Sequence, residues 1–347
     1  MEITAPAFEP PAAPEALEAL RRRTGEALRD FLGAPPWDAA PALSPRLLHT
    51  VDAGSYWRKK VRYGNESDDV VWAWLLVPKH AEGPLPAVVC LPGSFMTPNW
   101  GKDGPAGLGG TENPGDPEAY GADLARLGYV ALCPDYPCAG ERTSAGLKSH
   151  DTADLDRRFP TWTRVGLSAW DVSRAVDFLL TLPEVDGGRI GCMGWSQGGQ
   201  MSLLGAALEP RIAAAVSVCG WSPLRGLPAE AVRNLAQPYN YPRLRPYAES
   251  GRPLPFDLDH VAALVAPRPF LDVRGRRDPY FANTAAIEQG AAAVGRAYAL
   301  LGAGERFRCL WYEGGHAYNS VAARETQAWF YRWLWTGGGA QQRAAAP

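Results

Sequence analysis

A single serine lies where an apolar run gives way to a run of small residues, in the segment RIGCMGWSQGGQMSLLGAAL. The first run predicts a strand and the second a helix. Gly194 and Gly198 stand two residues before and two residues after Ser196. A sharp strand–turn–helix connection strains the serine backbone, exposes the hydroxyl and needs small neighbours. A glycine-rich turn with an incidental serine would give similar letters, but the strand and helix around it favour a nucleophile for acyl transfer.

A nucleophilic serine needs a base, and the chain has five histidines. His316 follows an apolar run and precedes the last helical pattern, in WYEGGHAYNS. Serine hydrolases with this turn place their residues in the order Ser, acid, His, which fits His316. Gly314 and Gly315 would let its loop reach the serine. His260, in DLDHVAALV, is more typical of a packed or capping residue.

The acid that orients the histidine should follow the strand between them, and RPFLDVRGRRDPYF offers two candidates. Asp272 falls inside the predicted strand. Asp278 falls in the loop beyond it, at the carboxyl end where such sites assemble. We therefore favour Asp278, whose alternative role is to form a turn before Pro279.

An acyl-transfer site also needs two backbone donors for the oxyanion. One is expected from Gln197, the residue after the nucleophile. The other is expected from the loop after the strand VVCLPG, at Ser94 or alternatively at Phe95. Gly93 allows close approach there.

Three residues are candidates for substrate binding: Phe95, Trp195 and Trp221. Aromatic side chains at these positions would suit an aryl or sugar group, although such residues more often belong to a core. The chain has no H-E-x-x-H motif, no P-loop and no G-x-G-x-x-G after a strand. The sequence therefore predicts no metal and no other cofactor.

Strand and helix patterns alternate from about residue 85 onward, and the strands are apolar throughout. This pattern predicts an α/β fold with a mostly parallel sheet covered by helices on both faces. The runs YWRKKVRYG and DVVWAWLLVPK meet at Gly64-Asn65, which predicts an antiparallel hairpin at one edge.

The chain divides into three parts by composition. We expect an N-terminal arm over 1–49, with a helix at 14–32 and a Pro-rich link. A catalytic domain is expected over 50–336 and a disordered tail over 337–347. Residues 221–257 are rich in Pro, Tyr and Arg without a clear period, which predicts a rim or lid at the site.

The composition limits the class of protein. The 347 residues are 46% hydrophobic and 21% charged, with a formal net charge of −2. Nothing in this balance indicates a nucleic-acid partner or an anionic membrane surface. The N-terminus lacks the pattern of a secretory signal, and six cysteines without a C-x-x-C pair are typical of buried, reduced thiols. We expect a cytoplasmic protein.

Taken together, these segments resemble the α/β-hydrolase superfamily over roughly residues 50–336. Within it the chain is similar to the dienelactone-hydrolase and acetyl-xylan-esterase-like branch of bacterial serine esterases. The resemblance rests on LPGS, CPDYPCAGER, AWDVSRAVDFLLTLPEVDGGRIGCMGWSQGG, ALVAPRPFLDVRGRRDP and EGGHAYN. It implies Ser196, Asp278 and His316 as a triad, with Gln197 and Ser94 as oxyanion donors.

Two positions depart from the relatives. Many of them carry His-Gly where this chain has Pro92-Gly93, and dienelactone hydrolases carry cysteine where Ser196 stands. The oxyanion donors follow the first pair, so catalysis should survive. A strict dienelactone hydrolase is disfavoured.

The sequence therefore predicts a serine carboxylic-ester hydrolase that acts through an acyl-enzyme on a small-molecule or acetylated carbohydrate ester. A peptidase of the prolyl-oligopeptidase type shares the triad and the fold. The roughly 50 residues before the fold are too few for the propeller that such peptidases usually carry. A non-catalytic ligand receptor on the same fold is the rival from another class.

The choice between the two acids can be tested directly. We expect Asp278→Asn to lower kcat by ~10²–10⁴, because the amide selects the wrong histidine tautomer. Asp272→Asn should act mainly on thermal stability. Steady-state kinetics and melting curves of both variants check this, and the reverse pattern would show that Asp272 is the catalytic acid.

Overall fold

The computed structural model of the protein describes residues 2–35, 40–66, 69–79, 83–94, 101–108 and 118–335. The predicted tail at 337–347 and the candidate residue Phe95 lie outside these ranges.

The strands of the described residues form one nine-stranded sheet in the order β1-β2-β3-β5-β4-β6-β7-β8-β9. Their bounds are β1 Arg46–Asp52, β2 Tyr56–Glu66, β3 Asp69–Pro78, β4 Leu85–Leu91, β5 Val130–Pro134, β6 Val185–Trp195, β7 Ala214–Val218, β8 Phe270–Gly275 and β9 Phe307–Tyr312.

Helices occupy most of the connections between these strands. They are α1 Pro14–Leu32, α2 Tyr120–Arg126, α3 Ala153–Arg158, α4 Arg164–Leu179, α5 Gln197–Leu208, α6 Ala229–Leu235, α7 Leu244–Ser250, α8 Leu258–Val265, α9 Thr284–Leu300 and α10 Ser320–Phe330. Short 3₁₀ turns at Gly140–Arg142 and Gly304–Arg306 and a π turn at Tyr331–Trp335 complete the set. Among the described residues, no helix combines the length and the apolar character that crossing a bilayer requires.

The sheet is parallel from β5 to β9 and antiparallel over β1, β2 and β3. All positions of β4, β5, β7 and β8 are buried, as expected for strands covered on both faces. Alternate residues of β4 enter different cores: Val89 packs in one cluster and Val88 in the other. The predicted α/β class is confirmed.

The hairpin at the antiparallel edge differs in detail from the prediction. β2 does not turn at Gly64-Asn65 but continues to Glu66, and it pairs with β3 as far as Asp69. The register shifts between Gly64 and Glu66. A bulge of this kind absorbs one extra residue without ending the strand, which explains why the glycine does not mark the turn.

The N-terminal arm packs into the main hydrophobic core. Leu17 and Leu28 of α1 are fully buried there, and α1 lies against α8. Ahead of the helix, the Thr4 carbonyl accepts a hydrogen bond from the Leu254 amide at 2.8 Å. The arm therefore holds the segment at 221–257.

That segment is more ordered than its composition suggests. It contains α6 and α7, and it buries Val232, Leu244 and Phe256 in the main core. Its apolar residues are spaced too irregularly for one long helix, but two short helices joined by turns can bury them against α1 and α8.

Asp257 fixes the end of this segment. Its carboxylate accepts hydrogen bonds from the amides of Leu224 at 2.6 Å, Arg225 at 3.2 Å and Leu258 at 2.7 Å, the last of which caps α8. The Arg225 guanidinium lies 3.0 Å from Asp257 and 2.7 Å from Asp259. Burial, reinforced by the Asp259 charge, raises the pKa of Asp257. One arginine thus holds two buried carboxylates beneath the segment.

We expect Asp257→Ala to lower the free energy of unfolding by about 2–4 kcal/mol, because three backbone donors lose their acceptor. Urea unfolding followed by circular dichroism measures this. Asp52→Ala is the control, since the exposed Asp52 caps only the Gly54 amide and pairs with Lys79. Equal midpoints for the two variants would contradict the anchoring role.

Candidate active site

Ser196 occupies a tight turn between β6 and α5. Its backbone is left-handed, with φ 57° and ψ −122°, which is costly for a residue with a side chain. A Cβ on Gly198 would lie 2.1 Å from the Leu91 carbonyl oxygen, and one on Gly194 would lie 2.4 Å from the carbonyl carbon of Gly198. Neither position can hold a side chain without moving the turn. The structure therefore gives a physical reason for both glycines.

The three candidate triad residues meet in one hydrogen-bonded chain. His316 Nε2 lies 2.8 Å from Ser196 Oγ, and His316 Nδ1 lies 2.7 Å from Asp278 Oδ2. Asp278 Oδ1 accepts a hydrogen bond from the Tyr280 amide at 2.9 Å, which fixes the carboxylate plane. A carboxylate can only accept, so Nδ1 carries the proton and Nε2 is free to accept the serine proton.

The sheet brings these residues together from distant parts of the chain. Ser196 follows β6, Asp278 follows β8 and His316 follows β9, and these strands run parallel in one sheet. Their carboxyl ends share one edge. The loops after β8 and β9 are further joined by the hydrogen bonds Arg276 N to Tyr312 O at 3.1 Å and Arg277 N to Gly314 O at 2.8 Å.

Aromatic rings surround the imidazole of His316. The Trp195 ring lies 5.2 Å from it, Tyr280 contacts it edge-on at 4.8 Å, and Phe281 lies 6.1 Å away. The side chains of His316 and Asp278 are 12% and 4% exposed, so the pair is largely shielded from water. Tyr280 is itself 62% exposed and stands at the mouth of the site. Tyr280 and Phe281 were not among the candidates from the sequence, although both lie within three residues of the acid, in DPYF.

The two expected oxyanion donors start from neighbouring strands. Gln197 is the first residue of α5, where backbone N–H groups have no acceptor within the helix. Ser94 comes three residues after the end of β4, and Leu91 at that end pairs with Gly194 of the turn. The loop that carries Ser94 therefore begins beside the serine turn. Phe95, the alternative donor, is outside the described residues.

The second candidate acid has a different environment. Asp272 is fully buried and its Oδ2 is ion-paired with Nε of Arg274. Burial raises the pKa of Asp272, and Arg274 opposes that rise. Asp272 thus anchors an arginine within the sheet, while Asp278 is the acid that contacts the histidine.

The sequence suggested that Trp221 lies on an open rim of the site, but the structure buries this residue. It is 1% exposed, and the Arg274 guanidinium lies over its ring at 4.5 Å. Arg274 Nη1 also donates a hydrogen bond to the Trp221 carbonyl. The ring lies in the main hydrophobic core, in the connection between β7 and α6.

A second charged group lies after β5. The Asp135 carboxylate accepts hydrogen bonds from the amide of Lys102 at 2.8 Å, from its Nζ at 2.9 Å and from the Glu141 amide at 3.0 Å. Arg142 forms a buried ion pair with Asp171. These contacts are structural. They join the loop at 101–108 to the loop after β5, and they join that second loop to α4.

One cluster among the described residues presents three atoms of the types that bind metals. Donor atoms of Cys219, Asp278 and His316 lie within 4.8 Å of one another. His316 and Asp278 already share a hydrogen bond. Burial raises the pKa of the Cys219 thiol to about 11, so the sulfur keeps its proton at neutral pH. All three groups are already engaged: His316 contacts Ser196 and Asp278, and the Cys219 sulfur contacts the Tyr312 hydroxyl.

Comparisons with known proteins agree with this architecture. A glucuronoyl esterase from Solibacter usitatus superposes with a TM-score of 0.70 at 19% identity, covering 96% of this chain and 98% of that one. A candidate acetyl xylan esterase from Bacteroides fragilis NCTC 9343 gives 0.67 at 20% identity, with 89% and 79% covered. The chain has the α/β-hydrolase fold.

Sequence comparisons extend this result. A candidate hydrolase of Bacillus subtilis (strain 168), YtaP, is 27% identical over 264 residues, which are 76% of this chain and 83% of the relative. The profile of the family "Glucuronyl esterase, fungi" matches residues 163–302, a range that includes Ser196 and Asp278. The expected class, an ester-hydrolysing enzyme, is confirmed.

The burial of Trp221 changes what its removal should do. We expect Trp221→Ala to lower the free energy of unfolding by about 3–5 kcal/mol, because it leaves a cavity and uncovers Arg274. Tyr239→Ala, at a half-buried position of the same segment, should cost far less. Denaturant unfolding of both variants tests this. Similar midpoints would contradict a structural role for the buried Trp221 ring.

Proposed function

We propose that this α/β-hydrolase cleaves carboxylic esters of carbohydrates through an acyl-enzyme, with Ser196 as nucleophile, His316 as general base and Asp278 as the orienting acid. The observation that carries the proposal is the unbroken hydrogen-bond chain from Ser196 Oγ through the imidazole to Asp278. The strained turn that carries Ser196 exposes the serine oxygen at the carboxyl ends of the strands.

The acylation step follows from this geometry. Ser196 Oγ attacks the ester carbonyl carbon while His316 Nε2 takes the hydroxyl proton. The carbon–oxygen bond to the alcohol then breaks, and the imidazolium returns the proton to the leaving oxygen. Asp278 stabilises the imidazolium in between. Water, deprotonated by His316, next attacks the acyl-enzyme and releases the acid with Ser196 restored.

The negative charge that develops on the carbonyl oxygen requires fixed donors. The N–H groups of Gln197 and Ser94 fill this role in the proposed mechanism, one from the first turn of α5 and one from the loop after β4. The dipole of α5, a twelve-residue helix, adds positive potential at the same point.

A carbohydrate ester is supported by the exposed aromatic ring beside His316 and by the relatives. Tyr280 presents an exposed ring beside His316, and Trp195 lies behind it. Flat aromatic surface of this kind packs well against the apolar face of a sugar ring. The matched proteins named above are called glucuronoyl, glucuronyl and acetyl xylan esterases. An acetylated sugar and an ester of a sugar acid therefore share the chemistry that this site suits.

Two finer expectations remain sequence predictions within this proposal. They are a cytoplasmic location and a place in the dienelactone-hydrolase-like branch, with serine instead of cysteine as nucleophile.

A substrate panel with a matched variant tests the proposal. Purified enzyme is assayed on p-nitrophenyl acetate, acetylated xylose, methyl glucuronate and a p-nitroanilide peptide. We expect hydrolysis of at least one sugar ester, and Ser196→Ala should lose that activity by ~10⁴-fold or more because no acyl-enzyme forms.

The same panel has outcomes that contradict the proposal. Cleavage of the peptide substrate alone would favour a peptidase. Binding of a sugar ester without turnover, or phosphonate labelling that still modifies the Ser196→Ala variant, would remove the proposed nucleophile.

A further inference from the structure

Tyr312, the last residue of β9, directs its hydroxyl into the loop that carries His316. The oxygen lies 2.7 Å from the Gly315 carbonyl and 2.6 Å from the Ala317 carbonyl, and it accepts a hydrogen bond from the Ala317 amide at 3.2 Å. The residue is only 4% exposed. One side-chain oxygen therefore contacts the backbone immediately before and immediately after His316.

This contact matters because the loop is intrinsically loose. Gly314 and Gly315 precede the histidine, and two adjacent glycines leave the backbone many conformations. The carbonyl of Gly314 is held from outside by the Arg277 amide. Beyond that point, the Tyr312 hydroxyl is a hydrogen-bond partner shared by the backbones of Gly315 and Ala317.

The same hydroxyl reaches the strand beside the nucleophile. Cys219 Sγ lies 3.3 Å from it, directly after β7. The Cys219 amide donates to the Val273 carbonyl of β8 at 2.8 Å, and the preceding residue, Val218, accepts from the Ser196 amide at 2.9 Å. The Tyr312 oxygen thus links the histidine loop to the backbone that also positions the serine.

Both side chains in this link keep their protons. Burial raises the pKa of Tyr312 well above its ordinary value and raises that of Cys219 to about 11. The phenol therefore stays a donor throughout the range in which a histidine base works. It has one proton for two carbonyl oxygens, so it serves them alternately or shares the proton between them.

We propose that Tyr312 is a positioning residue of the reaction: its hydroxyl, supported by Cys219, holds the His316 backbone so that the imidazole reaches Ser196 and Asp278 at once. The inference rests on the proposed function of the triad. It goes further by assigning a role to a residue that touches neither the substrate nor the imidazole nitrogens. A misplacement of about 1 Å in such a group costs ~10²-fold in rate.

The test compares two single-atom deletions. Tyr312→Phe removes the hydroxyl that contacts the backbone on either side of His316. Tyr298→Phe is the matched control, because Tyr298 is also buried and its hydroxyl donates to the Arg268 carbonyl at 2.8 Å, at the start of β8 and away from the triad. We expect Tyr312→Phe to lower kcat by about 10–100-fold with KM within about threefold, since only alignment in the transition state is lost. Tyr298→Phe should lower the melting temperature to a similar extent and leave kcat within about twofold.

A second measurement does not depend on knowing the substrate. The rate at which a fluorophosphonate labels Ser196 reports how well His316 activates the hydroxyl. Tyr312→Phe should slow labelling by the same factor as kcat, and Tyr298→Phe should not. If the wild-type enzyme is labelled rapidly but hydrolyses no ester of the panel, the proposed substrate class fails while the positioning role is still measured.

Cys219 supplies an independent series if Tyr312→Phe does not fold. Cys219→Ala should reduce kcat and labelling several-fold, and Cys219→Ser, which keeps a polar partner for the phenol, should recover part of the loss. The proposal is overturned if Tyr312→Phe retains kcat within about threefold, if only KM changes, or if Cys219→Ala and Cys219→Ser behave alike.

Discussion

The left-handed backbone of Ser196 is the constraint on which the rest of the site depends. It is sterically expensive, so the surrounding structure has to impose it. The Leu91 carbonyl and the backbone of Gly198 approach so closely that no Cβ fits there, and the Ser196 amide is hydrogen-bonded to Val218 of the next strand. β4 and β7, the strands on either side of β6, therefore hold the turn in its strained conformation.

The loops after β8 and β9 reach Ser196 because the sheet places the carboxyl ends of these strands on the same side as the end of β6. β8 and β9 deliver Asp278 and His316 to the same edge, where backbone hydrogen bonds join the two loops to each other. Three nearby carboxylates differ in their partners. Asp278 contacts His316. Asp272 is ion-paired with Arg274, and Asp135 is ion-paired with Lys102. The carboxylate proposed to act in catalysis therefore differs from the structural ones in its partner, since all three are buried.

Local chemistry explains which parts of this arrangement the sequence could predict. The serine turn and the place of His316 follow from glycine spacing and chain order, and Asp278 follows from its place beyond a strand. Trp221 could not be assigned from its neighbours in sequence, because its burial depends on Arg274, a residue that reaches it only after β8 has paired with β7. The Tyr312 contact could not be predicted from the sequence either, because it depends on how the loop that carries His316 folds back onto the end of β9.

The hydrogen bond between Thr4 and Leu254 also bears on how the chain is made. The Phe8 amide likewise bonds to Asp259, 251 positions later in sequence. During synthesis from the amino end, the first helix emerges long before the surface that receives it exists. The apolar face of α1 cannot pack against α8 until α8 has been synthesised. The arm that opens the sequence is thus among the last parts to dock, and closure of that long loop is expected to be a late step in folding.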